Sequence, residues 1–245
     1  MLVKWRDVKT FVVNWWDDFK RISYVDAKWL AIWIFIYLAF LAMDIFFPGF
    51  WGSSILKYVG IFLCTVYAYQ KYHNDTMLIL ALFLTFLADT ILVWTTWEIV
   101  GVYVFCFAQL MHLLRLSKAS PQLIGAYGAA LGLFAAVGIT AGLDPLYAIC
   151  TVYGLELICN LVLANRRYRR NPKDFKGRCT LYGFAAFICC DVCVALRHLS
   201  LDGVLPIEML PLVAFLVWVF YYPSQVLIAN SSTRRQSLHL SKNIK

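Results

Sequence analysis

Histidine is scarce in this chain, and what there is lies scattered. The four residues, at 73, 112, 198 and 239, form no i, i+4 pair on any apolar run. Intramembrane zinc hydrolases need such clusters, so that chemistry is set aside. No Gly-x-Ser-x-Gly elbow and no Ser-His-Asp arrangement is visible, and no glycine-rich loop is present to cradle a phosphate. Cysteine is plentiful but carries no framework. The eight residues, at 64, 106, 150, 159, 179, 189, 190 and 193, all fall in or at the ends of apolar runs. They read as small buried hydrophobes, with no disulfide scaffold and no thiol open to redox work. Cys190-x-x-Cys193 has a metal-like spacing but lacks the second pair a zinc site needs. No metal and no cofactor is expected.

Charge is the other shortage. Only 15% of the residues are charged, against 62% hydrophobic and 17% aromatic, and mean hydropathy is +0.69. A soluble domain is about half apolar and about a quarter charged. This composition describes an integral membrane protein, and 245 residues suffice for one bundle. No signal peptide is read at the N-terminus. Residues 1–27 mix Lys4, Arg6, Lys9, Lys20 and Arg21 with Trp5, Phe11, Trp15, Trp16 and Phe19. Phe11, Trp15, Phe19 and Ile22 recur at helical spacing, which predicts an amphipathic helix lying in the membrane interface.

Eight apolar runs of spanning length follow, at about 28–47, 53–70, 77–96, 98–116, 122–142, 145–164, 178–197 and 208–229. About 20 residues cross a bilayer. Pro48, Gly49, Pro121, Gly142, Pro145, Pro172, Pro206 and Pro211 fall at or near the run ends, where helix breakers belong. The expected fold is an all-α membrane protein of eight transmembrane helices. Its parts are a 1–27 amphipathic segment, a 28–230 membrane domain and a 231–245 basic tail. With eight spans, both termini share a side with the connections 71–76, 117–121 and 165–177. That side holds 20 of the 22 Lys and Arg residues, all but Lys57 and Arg197. The positive-inside rule then places both termini in the cytoplasm of a cell-membrane protein. The net charge of +8 is thus a topology and anionic-lipid signal, and nucleic acid is not expected as a partner.

The two halves echo each other. Cys64-Thr-Val-Tyr67 recurs as Cys150-Thr-Val-Tyr153, Asp89 is answered by Asp191, and Phe-Ala-Gln109 by Pro-Ser-Gln225. Their common order suggests a four-helix duplication with parallel topology.

Asp89 and Asp191 are the most informative residues. Each sits deep in an apolar run, about two-thirds of the way out from the cytoplasm, with no basic neighbour in sequence. An Asp at a helix centre costs about 2.5–3.5 kcal/mol to insert, so a functional site is the default reading. Other polar groups lie at comparable depth: Gln109, Tyr221, Tyr222 and Gln225, with Tyr153, Glu156 and Asn160 on one helical face. Lys57 and Asp44 lie near the outer ends of their runs. Each has a structural reading as well. The amides can tie helices together, Glu156 can pair with backbone or a tyrosine, Lys57 and Asp44 can snorkel, and His112 can sit at the inner interface.

The set resembles the YhhN-like lysoplasmalogenase family of eight-helix membrane proteins. The likeness runs over most of the chain. It rests on Ala88-Asp89 followed by Ile91-Leu92, then Gly101 and Phe105, then Gly183, Phe187 and Cys190-Asp191. Tyr221-Tyr222-x-x-Gln225-x-Leu227-Ile228 completes it, with Lys57 where the family has Lys-Pro. Two departures stand out: Tyr58 follows Lys57 in place of proline, and Gln109 and His112 replace a His and a Tyr three residues later. The resemblance implies hydrolysis of the vinyl ether of a lysoplasmalogen to a fatty aldehyde and a glycerophospho-alcohol. Asp89 and Asp191 would be catalytic. Lys57, Gln109, Glu156, Tyr221, Tyr222 and Gln225 would bind the lysophospholipid.

Two carboxyls suit that chemistry on their own account. Protonating the β-carbon of a vinyl ether gives an oxocarbenium ion, which water then attacks with the help of a base. Glycosidases meet a similar demand with one protonated and one ionised carboxyl. The rival readings are a proton-coupled transporter, since intramembrane acids also carry protons, and a non-catalytic lipid-binding bundle.

The charge bias makes a topological prediction. Cysteine tags at residues 1 and 245 and within 165–177 should all be labelled from one common side, the cytoplasm. Labelling of either terminus from outside would contradict eight spans.

Overall fold

The computed structural model describes residues 27–117, 137–138, 140–142, 145–204 and 206–233. Among them every regular element is helical. Seven helical segments are long and apolar enough to cross a membrane, which makes this a multi-pass membrane protein. They are α1 (Ala27–Phe46), α2 (Trp51–Tyr72), α3 (Thr76–Trp94), α4 (Glu98–Ser117), α5 (Pro145–Arg170), α6 (Phe175–Leu201) and α7 (Leu210–Ala229). A short 3-10 turn, Ile207–Met209, leads into α7. The expected interfacial helix at 1–27 lies outside the described residues, apart from Ala27. So does the expected run at 122–142, apart from 137–138 and 140–142.

Local chemistry explains where the helices begin. Asp75 caps α3, one carboxyl oxygen accepting from the Leu78 N–H at 3.4 Å. Asp174 caps α6, accepting from the N–H groups of Lys176 and Gly177 at 3.2 and 3.1 Å. Pro145 opens α5, and Pro211 sits in the first turn of α7, where no intrahelical donor is lost. Gly49 and Gly203 turn the chain with φ of 84° and 75°. Pro223 lies inside α7, between Tyr222 and Gln225, and removes one N–H from the ladder there.

The chain divides into two compact units, Met1–Lys57 and Tyr58–Lys245. In the first, α1 meets the start of α2 through Asp44. Its carboxylate accepts from Ser53 and pairs with Lys57, whose Nζ stands 2.7 and 3.0 Å from the two oxygens.

The second unit is the helical bundle. Contacts fix the sense of its helices. Tyr58 and Phe62 meet Phe86, and the Tyr58 hydroxyl reaches Thr90, so α2 and α3 are antiparallel. Asp75 and Asp89 on α3 meet Ser232 and Tyr221 in that order, so α3 and α7 are antiparallel. Phe105 against Tyr153 and Gln109 against Asn160 make α4 and α5 parallel neighbours.

Two glycines let α7 approach its neighbours. A Cβ on Gly60 would lie 2.3 Å from the Tyr222 ring, and one on Gly183 would lie 2.8 Å from the Ile228 side chain and 3.2 Å from its backbone N. Large apolar side chains such as Phe62, Phe83, Tyr103, Val162, Val192 and Leu212 are exposed on the outer surface, as a lipid-facing wall requires. That wall corrects one expectation. Cys150, Cys159 and Cys189 are exposed, and only Cys64, Cys106, Cys179, Cys190 and Cys193 are buried. A thiol is apolar enough to face lipid, so membrane location does not imply burial.

The end of the bundle that carries Asp75, Arg115 and Arg167 is tied by ions and hydroxyls. Arg115 donates to the Ser231 hydroxyl at 3.0 Å. Arg167 donates to Asp174 at 3.0 Å and to the carbonyls of Ser231 and Ser232 at 3.2 and 3.3 Å. Asp75 accepts from the Ser232 hydroxyl and the Thr233 N–H, both at 2.9 Å. Residues 231–233, the start of the basic tail, are therefore bound into the bundle.

The close α6–α7 approach can be tested. Gly183→Val should lower stability by about 1–3 kcal/mol in detergent unfolding, because the obstructing atoms include backbone. Gly154→Ala, where nothing lies within 4 Å, should instead gain about 0.5–1 kcal/mol. Equal effects at the two positions would contradict this packing.

Candidate functional site

Each intramembrane aspartate is held by a tyrosine hydroxyl from another helix. Tyr221 of α7 donates to Asp89 of α3 at 2.6 Å, and this pair is buried. Tyr153 of α5 donates to Asp191 of α6 at 2.7 Å. In both cases one carboxyl oxygen takes the bond. A phenol is well suited to this task inside a membrane. It supplies a donor without adding a charge, and its ring packs like any other apolar group.

The two pairs lie close to one another. Asp89 and Asp191 are within electrostatic reach, as are Tyr221 and Tyr153, and Cys190 stands near both acids. Rings fill the space between the helices. Phe187 packs edge-on against Tyr221 with centroids 5.5 Å apart, and Phe105 lies 5.7 Å from Tyr153 and 6.3 Å from Phe187. The result is an apolar enclosure around two carboxyls. Four helices, α3, α5, α6 and α7, supply the acids and their donors.

A second polar layer lies one to two helical turns further along α4 and α5. The Asn160 side-chain amide donates to both the backbone carbonyl and the side-chain Oε1 of Gln109, each at 3.0 Å. This clasp joins α4 to α5. Glu156 is buried beside the Cys106 thiol. His112 was expected at the inner interface. It is instead 1% exposed and stacked edge-on against Phe184, 5.2 Å between centroids. The reason is the face it occupies: His112 turns toward α6, and Arg115 three residues on is likewise drawn inside by Ser231.

The remaining candidates fall into place as follows. Tyr222 packs over Gly60, and Gln225 is fully buried with its amide 3.4 Å from the Ser224 hydroxyl. Lys57, expected as a cation for a phosphate, belongs to the first unit and is paired with Asp44. Both snorkelling readings, for Lys57 and for Asp44, give way to this ion pair. Tyr153 is the residue that sequence reasoning noticed but did not select. Its signal was present in the face it shares with Glu156 and Asn160. Among the described residues no group of three or more His, Cys, Asp or Glu is arranged to hold a metal ion.

Loss of the amide clasp should be measurable. Asn160→Leu removes two hydrogen bonds and leaves a buried Gln109 oxygen unpaired, which costs about 1–3 kcal/mol. Unfolding in detergent should show that loss, and an unchanged midpoint would mean that the clasp contributes nothing.

Comparison with known proteins gives one match. The sequence model of the YhhN family matches residues 50–232. No curated protein and no solved structure matches.

Proposed function

Because the chain belongs to the YhhN family, we propose that it is a lysoplasmalogenase, a membrane hydrolase that cleaves the vinyl ether of a lysoplasmalogen. The observation that carries this reading is the pair of tyrosine-held aspartates, Asp89 and Asp191, within reach of one another. The lysolipid would be drawn from the surrounding membrane. The protein itself would sit in the cell membrane with both termini cytoplasmic. The 4+4 duplication belongs to the same proposal.

The reaction divides between the two acids. One protonates the β-carbon of the alkenyl chain, and the double-bond electrons leave an oxocarbenium ion on the ether oxygen. The other takes a proton from water as its oxygen bonds to the cationic carbon. The hemiacetal hydroxyl then returns its proton to the first acid as the bond to the glycerol oxygen breaks, and that oxygen takes the proton held by the second. A fatty aldehyde and a glycerophospho-alcohol result, with one water consumed and no net proton. Each Tyr bond occupies one carboxyl oxygen and leaves the other for proton transfer. Gln225, Tyr222, Gln109 and Glu156 would line the path of the lipid.

Asp89→Asn and Asp191→Asn should each fold and each lose about 10²–10⁴-fold in aldehyde release, since an amide keeps the shape but exchanges no proton. The double variant should be little worse than either single, because the acids act as a unit. Tyr153→Phe and Tyr221→Phe should each cost roughly 10–100-fold, the worth of a hydrogen bond to a charged group. The pH–rate profile should be bell-shaped, as an acid and a base working together require. Purified wild-type protein that leaves lysoplasmalogen intact while moving a solute would replace this reading with a transporter.

A further inference from the structure

The seam between α4 and α5 carries more polar atoms than it satisfies. Gln109 and Asn160 are fully buried, His112 is 1% exposed and Glu156 is 2% exposed. The clasp uses the Asn160 nitrogen and the Gln109 oxygen. That leaves Gln109 Nε2, Asn160 Oδ1, His112 Nδ1 and both Glu156 oxygens with no nitrogen or oxygen partner among the described residues. Each buried orphan costs about 1–3 kcal/mol, and native structures hold few of them. The Cys106 thiol serves one Glu156 oxygen, and the four groups that remain on one seam call for a guest that can hydrogen-bond.

The chemistry of the seam narrows that guest. It offers donors and acceptors together and an acid, with no cation nearer than Arg115, which is engaged by Ser231. With no cation among the described residues of the seam, an anion such as phosphate would find no counter-charge there. A neutral hydroxyl, which both donates and accepts, matches the set.

We propose that the α4–α5 seam is a subsite for the free 2-hydroxyl of the lysolipid glycerol, with Glu156 accepting from it and Gln109 donating to it. This rests on the lysoplasmalogenase reading. The spacing fits. Glu156 is three residues inward of Tyr153, about 4.5 Å along the helix. The ether oxygen and the 2-hydroxyl of one glycerol are about 3–4 Å apart, and the α-carbon that water attacks is about 4–5 Å from that hydroxyl in an extended chain. With Tyr153 holding Asp191 at the ether, Glu156 meets the hydroxyl. A lipid acylated at that position would bring no donor and would leave the acid buried and unpaired. A site built to hydrogen-bond a substrate hydroxyl rejects the analogue without it far more strongly than an apolar pocket rejects an extra group.

The test compares 1-alkenyl glycerophosphoethanolamines that are 2-hydroxy or 2-deoxy, with purified protein in nanodiscs. Wild type should favour the 2-hydroxy lipid by at least about 100-fold in kcat/KM. Glu156→Leu should bring that ratio to within about tenfold of one, and the near-isosteric Glu156→Gln, which preserves packing, should fall between. Binding of the uncleavable 1-alkyl pair, 2-hydroxy against 2-deoxy, should show the same preference and the same loss. A wild-type ratio near one overturns the subsite. So does an equal loss on both lipids in the variants, which assigns the seam to the catalytic water or to packing. A binding preference that persists while no aldehyde forms supports the subsite and overturns the vinyl-ether reading alone.

Discussion

A carboxyl inside a bilayer can turn only to groups the protein brings to it or to water the protein admits. That constraint organises the whole bundle. Asp89 and Asp191 draw tyrosines from α7 and α5, so α3 is bound to α7 and α6 to α5 by the needs of two side chains. At the inner end Asp75 and Asp174 serve helix starts and ion pairs at once, and they hold residues 231–233 in place. The Asn160–Gln109 clasp applies the same rule at mid-depth. Apolar packing in lipid has little of the driving force it has in water, so these polar links and close small-residue contacts are what define one arrangement.

Helix α7 joins the two kinds of contact. Gly60 admits the Tyr222 ring, and Gly183 admits Ile228 and the backbone near Ser224. Tyr221 lies beside Tyr222 in the chain and reaches Asp89. The position of the phenol that holds the acid is therefore linked to contacts that only glycine allows. A larger residue at either glycine would act on the site from a distance.

Much of this was legible in sequence, for a physical reason. Hydropathy and breaker residues report spans directly, because lipid forbids unsatisfied backbone. Each described span falls within a few residues of its apolar run. The two aspartates were legible for the same reason: no bland role excuses a mid-membrane acid. Their partners were harder to see. Tyr67 and Tyr153 occupy matching places in the Cys-Thr-Val-Tyr echo, yet Tyr67 donates to Asn230 and Tyr153 to Asp191. Partner choice depends on which helices meet, and a one-dimensional pattern does not carry that. The same limit applies to Lys57. Its charge was visible, but its pairing with Asp44, 13 residues away across a turn, was not. His112 and the exposed cysteines show the third limit, since depth along a helix says little about which side faces lipid.

The central claim is that two paired carboxyls protonate an alkenyl carbon and deliver water to it. Hydrolysis of lysoplasmalogen in deuterium oxide, with the aldehyde reduced at once to the alcohol, reads that step directly. The account predicts one deuterium at carbon 2 of the fatty alcohol in wild type, and almost no product from Asp89→Asn or Asp191→Asn. A product without deuterium at carbon 2, or full activity in either variant, would contradict it.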